Sequence, residues 1–303
     1  MGHSLSILIA RTFILTKPLR LRLAEPGILL APGIYDALTA LLAAQAGAEA
    51  LYLSGANVAY TRLGRPDIGL VSMSEVAEIV ALVRDRVDLP VIVDGDNGFG
   101  NALNVQRTVR MFERAGASAI QLEDQIMPKR CGHLAGKALI SSAEMVGKIK
   151  AAVDARHDAN TLIIGRTDAV AVEGFDAALE RAARFAEAGA DVIFVEAPES
   201  VEQMRRIVAT LGATPLLANM VEGGSTPILR TDELQEIGYS IAIFPGGTVR
   251  AMAHAMRDYF ASLVATGSTA AFRPRMLDLA GINDIVGTTA LLALGKTYDG
   301  SAN

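Results

Sequence analysis

Short apolar runs recur along the chain, and each follows a glycine at the end of a helix-like segment. Four of these runs begin just after Gly47, Gly116, Gly189 and Gly238, which lie 69, 73 and 49 residues apart. A glycine in this place supplies the left-handed backbone that commonly ends a helix. The segments between the runs carry apolar residues at helical spacing. Strands that are apolar throughout and alternate with helices predict a parallel sheet buried on both faces.

The number of strands favours a closed barrel. Each gap between the glycines holds one further apolar strand, at 91–94, 162–166 and 215–218, and an opening strand is expected near 27–31. Eight strand–helix units predict a (β/α)8 barrel of the TIM type rather than an open, doubly wound sheet.

The chain is longer than such a barrel needs. We expect residues 21–267 to form the barrel and residues 1–20 to form an N-terminal arm or helix. Residues 268–303 are expected to form a C-terminal helical extension, with one helix over about 283–298.

Composition and charge exclude several classes of protein. The 303 residues carry a net charge of −5 and no Trp, so they offer neither a basic footprint nor a stacking platform for nucleic acid. The single cysteine excludes an intramolecular disulfide and is typical of a reducing compartment. We therefore expect a cytoplasmic protein that acts on a small molecule and binds neither nucleic acid nor a membrane.

Acidic side chains follow the third and fourth predicted strands. Asp94, Asp96 and Glu123 are hard oxygen donors at the strands' carboxyl ends, where the chemistry of a (β/α)8 barrel is located. Such a set suits Mg2+ or Mn2+, which take one or two carboxylates together with water and substrate oxygens. Without a cation, three neighbouring carboxylates repel and raise one another's pKa. The alternative is that they cap the following helices or pair with Arg166.

Other strand ends carry groups that suit an anionic ligand. Arg166 is a planar donor for a carboxylate, with an ion pair to Glu123 or Glu196 as the alternative. Asn219 either bonds a substrate oxygen or caps a loop. The turn Ser54-Gly55-Ala56 offers a hydroxyl and backbone amides to a second carboxylate, and a bare turn has the same sequence.

The loop Lys129-Arg130-Cys131-Gly132-His133 holds the only cysteine and one of the four histidines. Cations and an imidazolium beside a thiol lower its pKa and tune it for proton transfer. Pro128 and Gly132 indicate a mobile lid. Without further context, a lone loop cysteine is usually incidental.

Longer motifs at these positions carry a resemblance to a known family. They are Tyr52-Leu53-Ser54-Gly55, Leu63-Gly64-Arg65-Pro66-Asp67, Asp94-Gly95-Asp96-Asn97-Gly98-Phe99-Gly100, Glu123-Asp124-Gln125, the cysteine loop, Arg166-Thr167-Asp168-Ala169 and Asn219-Met220-Val221-Glu222-Gly223-Gly224. With them, residues 20–300 resemble the isocitrate lyase and phosphoenolpyruvate mutase superfamily. The cysteine loop resembles that of its 2-methylisocitrate lyase, 2,3-dimethylmalate lyase and carboxyphosphonoenolpyruvate mutase branch.

The resemblance implies an activity and an assembly. It implies a Mg2+-dependent lyase that cleaves a carbon–carbon bond in a 2-hydroxy di- or tricarboxylate, giving pyruvate or glyoxylate and a second carboxylate. Cys131 is expected to be the general acid, closed over the site. The last helices are expected to be swapped between the subunits of a homotetramer.

The resemblance also implies roles for individual residues. Asp94 is expected to bind the metal directly, and Asp96 and Glu123 through water. Glu196, His133 and Arg166 are expected to act in catalysis beside Cys131. The expected substrate-binding residues are Tyr52, Ser54, Gly55, Ala56, Asp67, Lys129, Arg130, Gly132, Arg166 and Asn219.

Some residues depart from the family pattern and leave other reactions open. Gly95 stands where the family usually has alanine, and Pro245 is followed by glycines rather than the usual serine. Tyr60 and Arg62 are further candidates for the mouth of the site. The alternatives are a carboxyphosphonoenolpyruvate-type phosphonomutase, an oxaloacetate decarboxylase or hydrolase, and a non-catalytic barrel that binds a small acid.

Overall fold

Eight parallel strands form one sheet in the computed structural model, which describes residues 17–132 and 136–299. The strands are β1 (Leu29–Ile34), β2 (Leu51–Leu53), β3 (Val91–Asp94), β4 (Ala119–Glu123), β5 (Leu162–Thr167), β6 (Val192–Val195), β7 (Leu217–Asn219) and β8 (Ile241–Phe244). Consecutive strands are neighbours from β1 to β6, and β8 lies between β1 and β7. A parallel bridge from Ile193 to Leu216 joins the two ends of the sheet. The predicted (β/α)8 barrel is therefore confirmed.

Helices alternate with the strands and begin and end at the expected signals. Ser72 accepts a hydrogen bond from the Glu75 N–H, and the Glu75 carboxylate accepts one from the Ser72 N–H, which starts the helix that follows. Gly116 ends a later helix in the left-handed conformation, with φ of 101°. The helices are α1 (Leu19–Leu23), α2 (Ala37–Gln45), α3 (Gly55–Val58), α4 (Met73–Arg86), α5 (Ala102–Ala115), α6 (Ser142–Ala155), α7 (Phe175–Glu187), α8 (Val201–Leu211), α9 (Thr231–Ile237), α10 (Gly247–Thr266), α11 (Leu279–Val286) and α12 (Thr288–Lys296).

Two predicted elements differ from the structure. The opening strand begins at Leu29 rather than at residue 27, because Gly27 turns the chain with φ of 97°. The single helix predicted over 283–298 is wrong, since Gly287 takes up φ of 75° and separates α11 from α12. Residues 1–16 of the predicted N-terminal arm lie outside the described residues.

The core has an inner and an outer layer, as the alternation of side chains along each strand requires. Inside the barrel, Tyr52, Ile92 and Phe194 pack together with the first residues of several strands. Leu19 of α1 is 1% exposed and belongs to this inner cluster, beside Leu29 at the start of β1. The amino end of the barrel is therefore filled, and the polar residues gather at the carboxyl end.

The chain divides into two compact units, one of them residues 17–253, which contain the barrel. The described part of the other runs from His254 to Asp299 and includes α11 and α12. Within it, Tyr259 packs edge-to-face on Phe272 at 5.3 Å between ring centroids. The predicted domain boundaries at residues 20 and 267 stay predictions.

Over the described ranges, no single helix is both long and apolar enough to cross a membrane. Residues 273–286 and 288–296, which are bent by 43°, meet that criterion only when they are taken together.

Candidate active site

Most of the predicted site residues line one cavity at the carboxyl end of the barrel. They are Tyr52, Ser54, Ala56, Asp67, Asp94, Lys129, Arg130, Cys131, Gly132, Arg166, Glu196 and Asn219. Tyr60 also lines this cavity, whereas Arg62 lines a separate one with Tyr35 and Leu82. Sequence reasoning thus located one site from motifs scattered along the chain, although the role of each residue stays a prediction.

The remaining predicted residues lie just behind the cavity wall or outside the described residues. The Gly55 N–H donates to Asp94 Oδ2 at 3.3 Å, and a Cβ at this glycine would come within 3.1 Å of the same oxygen. Asp96 donates its backbone N–H to Asp94 Oδ1 at 3.2 Å. Glu123 lies beside Arg166. His133, for which a catalytic role is predicted, belongs to the stretch that the structure does not describe.

The carboxylates at the ends of β3 and β4 are buried without enough positive charge. Burial, together with the charges of Asp94 and Asp67, raises the pKa of Asp96 to about 6 against the opposing effect of Lys129. Burial also raises the pKa of Glu123 well above its usual range, although Arg166 opposes the shift. Glu123 Oε1 accepts no hydrogen bond from any described residue.

Lys129 supplies positive charge beside the carboxylates at the end of β3. Its Nζ lies 2.5 Å from Asp67 Oδ1 and 2.7 Å from Asp96 Oδ1, and its side chain is 3% exposed. Burial lowers the pKa of Lys129, but the surrounding carboxylates, Asp96 first among them, hold it well above the ordinary value. One ammonium group therefore interacts electrostatically with several carboxylates.

Arg166 is surrounded by acids on the other side of the site. Its Nε and Nη2 donate to the two carboxylate oxygens of Asp168 at 2.9 and 3.1 Å. Its Nη1 lies 3.2 Å from Glu123 Oε2, and its Nη2 lies 3.2 Å from Glu196 Oε2. The ion pairs that were the alternative interpretation of Arg166 are therefore present. Because Arg166 also lines the cavity, it remains within reach of a bound anion.

Glu196 and Asn219 form a hydrogen-bonded pair at the ends of β6 and β7. Asn219 Nδ2 donates to Glu196 Oε2 at 3.1 Å, and the Ala197 N–H donates to Glu196 Oε1 at 2.9 Å. Asn219 Oδ1 accepts no hydrogen bond within the described part of the chain, although it is buried. Its amide oxygen can therefore accept from a ligand hydroxyl.

Gly132 of the cysteine loop lies directly against the side chains of Glu196 and Arg166. A Cβ on Gly132 would lie 2.5 Å from Glu196 Oε2 and 2.6 Å from Arg166 Nη2, so a larger residue here would force these two paired side chains to move. Cys131 is half-buried and lines the cavity. The Gln125 side chain fastens the loop, because its amide donates to the Arg130 carbonyl at 2.8 Å and accepts from the Arg130 N–H at 2.9 Å.

A divalent cation fits the carboxylates of β3 and β4 when water and substrate complete its shell. No three acidic, histidine or cysteine side chains of the described residues converge to hold a metal ion by themselves. Mg2+ normally takes only one or two protein carboxylates and keeps several waters. Asp94 on the cavity wall and the unpartnered oxygen of Glu123 behind it supply the negative charge that such an ion requires.

Sequence reasoning missed residues that hold the predicted ones in place. Gln121 Nε2 donates to Asp94 Oδ1 at 3.2 Å and its Oε1 accepts from the Tyr52 hydroxyl at 3.0 Å. Asp168 binds Arg166 and also the ammonium of Lys137. The motif Arg166-Thr167-Asp168 contained a signal for Asp168, since a carboxylate two residues beyond a buried arginine can fold back on it. Nothing local in the sequence marks Lys137.

A family match and individual sequence relatives of this chain point to the same family. The phosphoenolpyruvate phosphomutase family matches residues 19–264. A 2,3-dimethylmalate lyase of Eubacterium barkeri is 44% identical over 277 residues, covering 91% of this chain and 95% of that protein. A 2-methylisocitrate lyase of Aeropyrum pernix is 49% identical over 269 residues, covering 89% and 86%.

Solved structures agree with the sequence relatives. A 2,3-dimethylmalate lyase described as a member of the PEP mutase/isocitrate lyase superfamily superposes with a TM-score of 0.87 at 33% identity, covering 93% of this chain and 94% of that one. A phosphonopyruvate hydrolase solved with oxalate and Mg2+ superposes with a TM-score of 0.84 at 30% identity, covering 93% and 98%. The chain therefore belongs to the phosphoenolpyruvate phosphomutase family, within the PEP mutase/isocitrate lyase superfamily, and is an enzyme of the carbon–carbon lyase class.

Proposed function

We propose that this lyase cleaves the C2–C3 bond of a 2-hydroxy di- or tricarboxylate of the 2,3-dimethylmalate or 2-methylisocitrate type. The products are a 2-oxo acid, pyruvate or glyoxylate, and a second carboxylate. Mg2+ is the proposed cofactor and Cys131 the proposed general acid.

One observation carries the proposal more than any other. Cys131 lines the same cavity as Asp94, Arg166, Glu196 and Asn219, which come from four different strand ends. A proton donor, a carboxylate-binding cation and a metal-binding acid thus face one small volume. Decarboxylation of oxaloacetate needs no such donor from a loop.

The barrel residues are proposed to bind and orient the substrate. Arg166 and the Ser54 turn hold carboxylate groups, since planar guanidinium and backbone N–H groups both match carboxylate oxygens. Asn219, which lies beside Glu196 on the cavity wall, contacts another substrate oxygen. Glu196, which Asn219 and Arg166 hold in place, takes the hydroxyl proton as the C2–C3 bond breaks.

The bond's electron pair stays on C3 and spreads into the carboxylate attached to it. Arg166 stabilises this charge in a site from which the loop excludes water. The thiol of Cys131 then donates its proton to C3, which completes the second product.

The cation has a defined place in this scheme. Asp94 would hold it, with the carboxylates of Asp96 and Glu123 beside it as further sources of negative charge. When bound, it supplies Lewis-acid polarisation of the substrate oxygen at C2.

Two further features of the protein are proposed on separate grounds. A proton-donating thiol at Cys131 has to stay reduced, which favours the cytoplasm. A helix-swapped homotetramer is supported by apolar surface, because Leu30 on the outer face of β1 is 43% exposed and none of the residues of α11 and α12 is buried. Sedimentation equilibrium is expected to give four times the chain mass, and a monomer would contradict this assembly.

A coupled assay with lactate dehydrogenase tests the function, since that enzyme reduces both pyruvate and glyoxylate. The substrates are 2,3-dimethylmalate, 2-methylisocitrate, isocitrate, citramalate and oxaloacetate, each with Mg2+, with Mn2+ and with EDTA. Metal-dependent release of a 2-oxo acid from a hydroxy acid is the expected result. Signal from oxaloacetate alone, or no signal from any hydroxy acid, would overturn the proposal.

A further inference from the structure

Lys137 is a buried lysine that has no role in the scheme above. Its side chain is 1% exposed. Its Nζ lies 2.9 Å from Asp168 Oδ1 and also donates to the backbone carbonyl of Gly132. Burying an ammonium is costly unless it is paired and hydrogen-bonded, so both contacts constrain where this side chain can lie.

On one side, Lys137 is attached to a rigid part of the barrel. Asp168 is fully buried and receives the Nε and Nη2 donors of Arg166. Its backbone N–H donates to Asp124 Oδ1 at 2.9 Å, and the Thr167 hydroxyl donates to Asp124 Oδ2 at 2.7 Å. Asp168 is thus fixed through both its side chain and its backbone.

On the other side, Lys137 is attached to the backbone beside Cys131. Gly132 lies so close to the Arg166–Glu196 pair that a Cβ would force these side chains to move. Its carbonyl points to Lys137, whose other partner, Asp168, holds the same arginine. Arg166, Asp168, Lys137 and Gly132 therefore form a closed ring of contacts.

We propose that Lys137 is a positioning residue, which sets the backbone of Cys131 and Gly132 relative to Arg166 by bridging the Gly132 carbonyl to Asp168. The inference deepens the proposed function and rests on it where Cys131 is taken as the proton donor. A donor displaced by about 1 Å from its acceptor carbon can lose about 100-fold in rate.

Neutralisation of Asp168 accounts for only one of the two contacts of Lys137. The guanidinium of Arg166 already forms two hydrogen bonds to that carboxylate. A purely electrostatic role also leaves the contact to the Gly132 carbonyl without a purpose. The bridge explains both contacts of the ammonium at once.

The test uses Lys137→Met, which keeps most of the side-chain volume and removes the charge and the donors. Lys150→Met on the exposed face of α6 is the matched control. Because Cys131 is the only cysteine in the chain, its rate of alkylation by iodoacetamide reports this site alone. Lys137→Gln, which keeps a donor, replaces the Met variant if circular dichroism shows that the latter does not fold.

In Lys137→Met we expect the alkylation rate of Cys131 to change several-fold while the melting curve remains cooperative. We expect kcat to fall by about 100-fold with KM changed only a few-fold, because the substrate contacts of the barrel remain. Lys150→Met is expected to match the wild-type enzyme in both readouts. The alkylation comparison needs no substrate, so it stands even if the proposed reaction is wrong.

An unchanged alkylation rate in a folded Lys137→Met variant would overturn the inference. A higher KM with an unchanged kcat would also overturn it, because Lys137 would then act in substrate binding. Wild-type protein that alkylates as expected but turns over no hydroxy acid would refute the proposed function and leave the bridge intact.

Discussion

The two halves of the site bury their charges in opposite ways. At β3 and β4, burial raises the pKa of Asp96 to about 6 and that of Glu123 well above its usual range, because the nearby cations do not offset it. At β5, Asp168 is at least as deeply buried, yet Arg166 and Lys137 overcome the effect of burial and lower its pKa. Burial alone therefore does not determine the pKa of these carboxyl groups, because their charged and hydrogen-bonding partners also shift it.

The buried acid at the end of β5 is paired by cations of the chain itself, whereas the acids at the ends of β3 and β4 are not fully paired. A carboxylate that is buried and fully paired contributes to stability and fixes geometry. A carboxylate that is buried and under-compensated opposes folding unless a cation binds. We infer that the β5 half is assembled by the chain alone, whereas the β3–β4 half is completed by a divalent ion.

The largest expected effect is in the paired half. Asp168→Asn keeps the shape of the side chain but leaves Arg166 and Lys137 without their shared carboxylate. We expect it to lower the free energy of unfolding by about 3–5 kcal/mol, as is typical when one partner of a buried pair is removed. Urea denaturation in EDTA measures this, and a loss below about 1 kcal/mol would contradict the assignment of Asp168 as a structural anchor.

Metal binding is the next largest effect and belongs to the other half. Mg2+ at about 100 times its Kd is expected to stabilise the wild-type protein by about 2.7 kcal/mol, because it binds only the folded state. In Asp94→Asn the shift is expected to disappear, whereas Lys150→Met should retain it. A melting temperature of the wild-type protein that is the same in Mg2+ and in EDTA would refute the two-half account.

A smaller effect is expected at Tyr52, which is linked through Gln121 to Asp94, the proposed metal-binding acid. Tyr52→Phe removes the hydroxyl that donates to Gln121 Oε1 and leaves that buried oxygen unsatisfied. We expect a loss of about 1–3 kcal/mol in unfolding free energy and weaker Mg2+ binding by calorimetry. Weaker stability with unchanged Mg2+ affinity would show that Tyr52 does not act through Asp94.

The smallest effect is expected at Glu123 in the absence of metal. Glu123→Gln weakens the ion pair with Arg166, which is destabilising, and removes an under-compensated buried charge, which is stabilising. We expect these two effects to offset each other to within about 1 kcal/mol. Paired with Asp168→Asn under the same conditions in EDTA, it compares two similar substitutions in the two halves. Equal losses of unfolding free energy in Glu123→Gln and Asp168→Asn would contradict the proposed difference between the two halves of the site.

The sequence predicted the barrel well because the signal for it is local and repeated. Each glycine such as Gly116 ends a helix, and the next few residues form a strand, whatever the rest of the chain does. The strand-end residues were predicted for the same reason, since a parallel barrel brings all carboxyl ends together. The break at Gly287 was missed because apolar residues continue on both sides of it.

The supporting contacts could not be predicted in this way. Lys137 and Asp168 are 31 residues apart, and only the folded loop brings them into contact. The sequence suggested that Arg166 is either a ligand group or an ion-pair partner of Glu123 or Glu196, and only the structure shows that it contacts both of them and Asp168 as well. Such side-chain pairs depend on packing rather than on periodicity.

Cys131 is the proposed donor of the proton that completes carbon–carbon cleavage at this site. The most direct measurement compares the wild-type enzyme with Cys131→Ser on the best hydroxy acid of the panel, together with calorimetric binding of that acid and Mg2+. The account predicts that kcat falls by about 100- to 10,000-fold while both ligands still bind. Turnover by Cys131→Ser at a rate near that of the wild-type enzyme would contradict it.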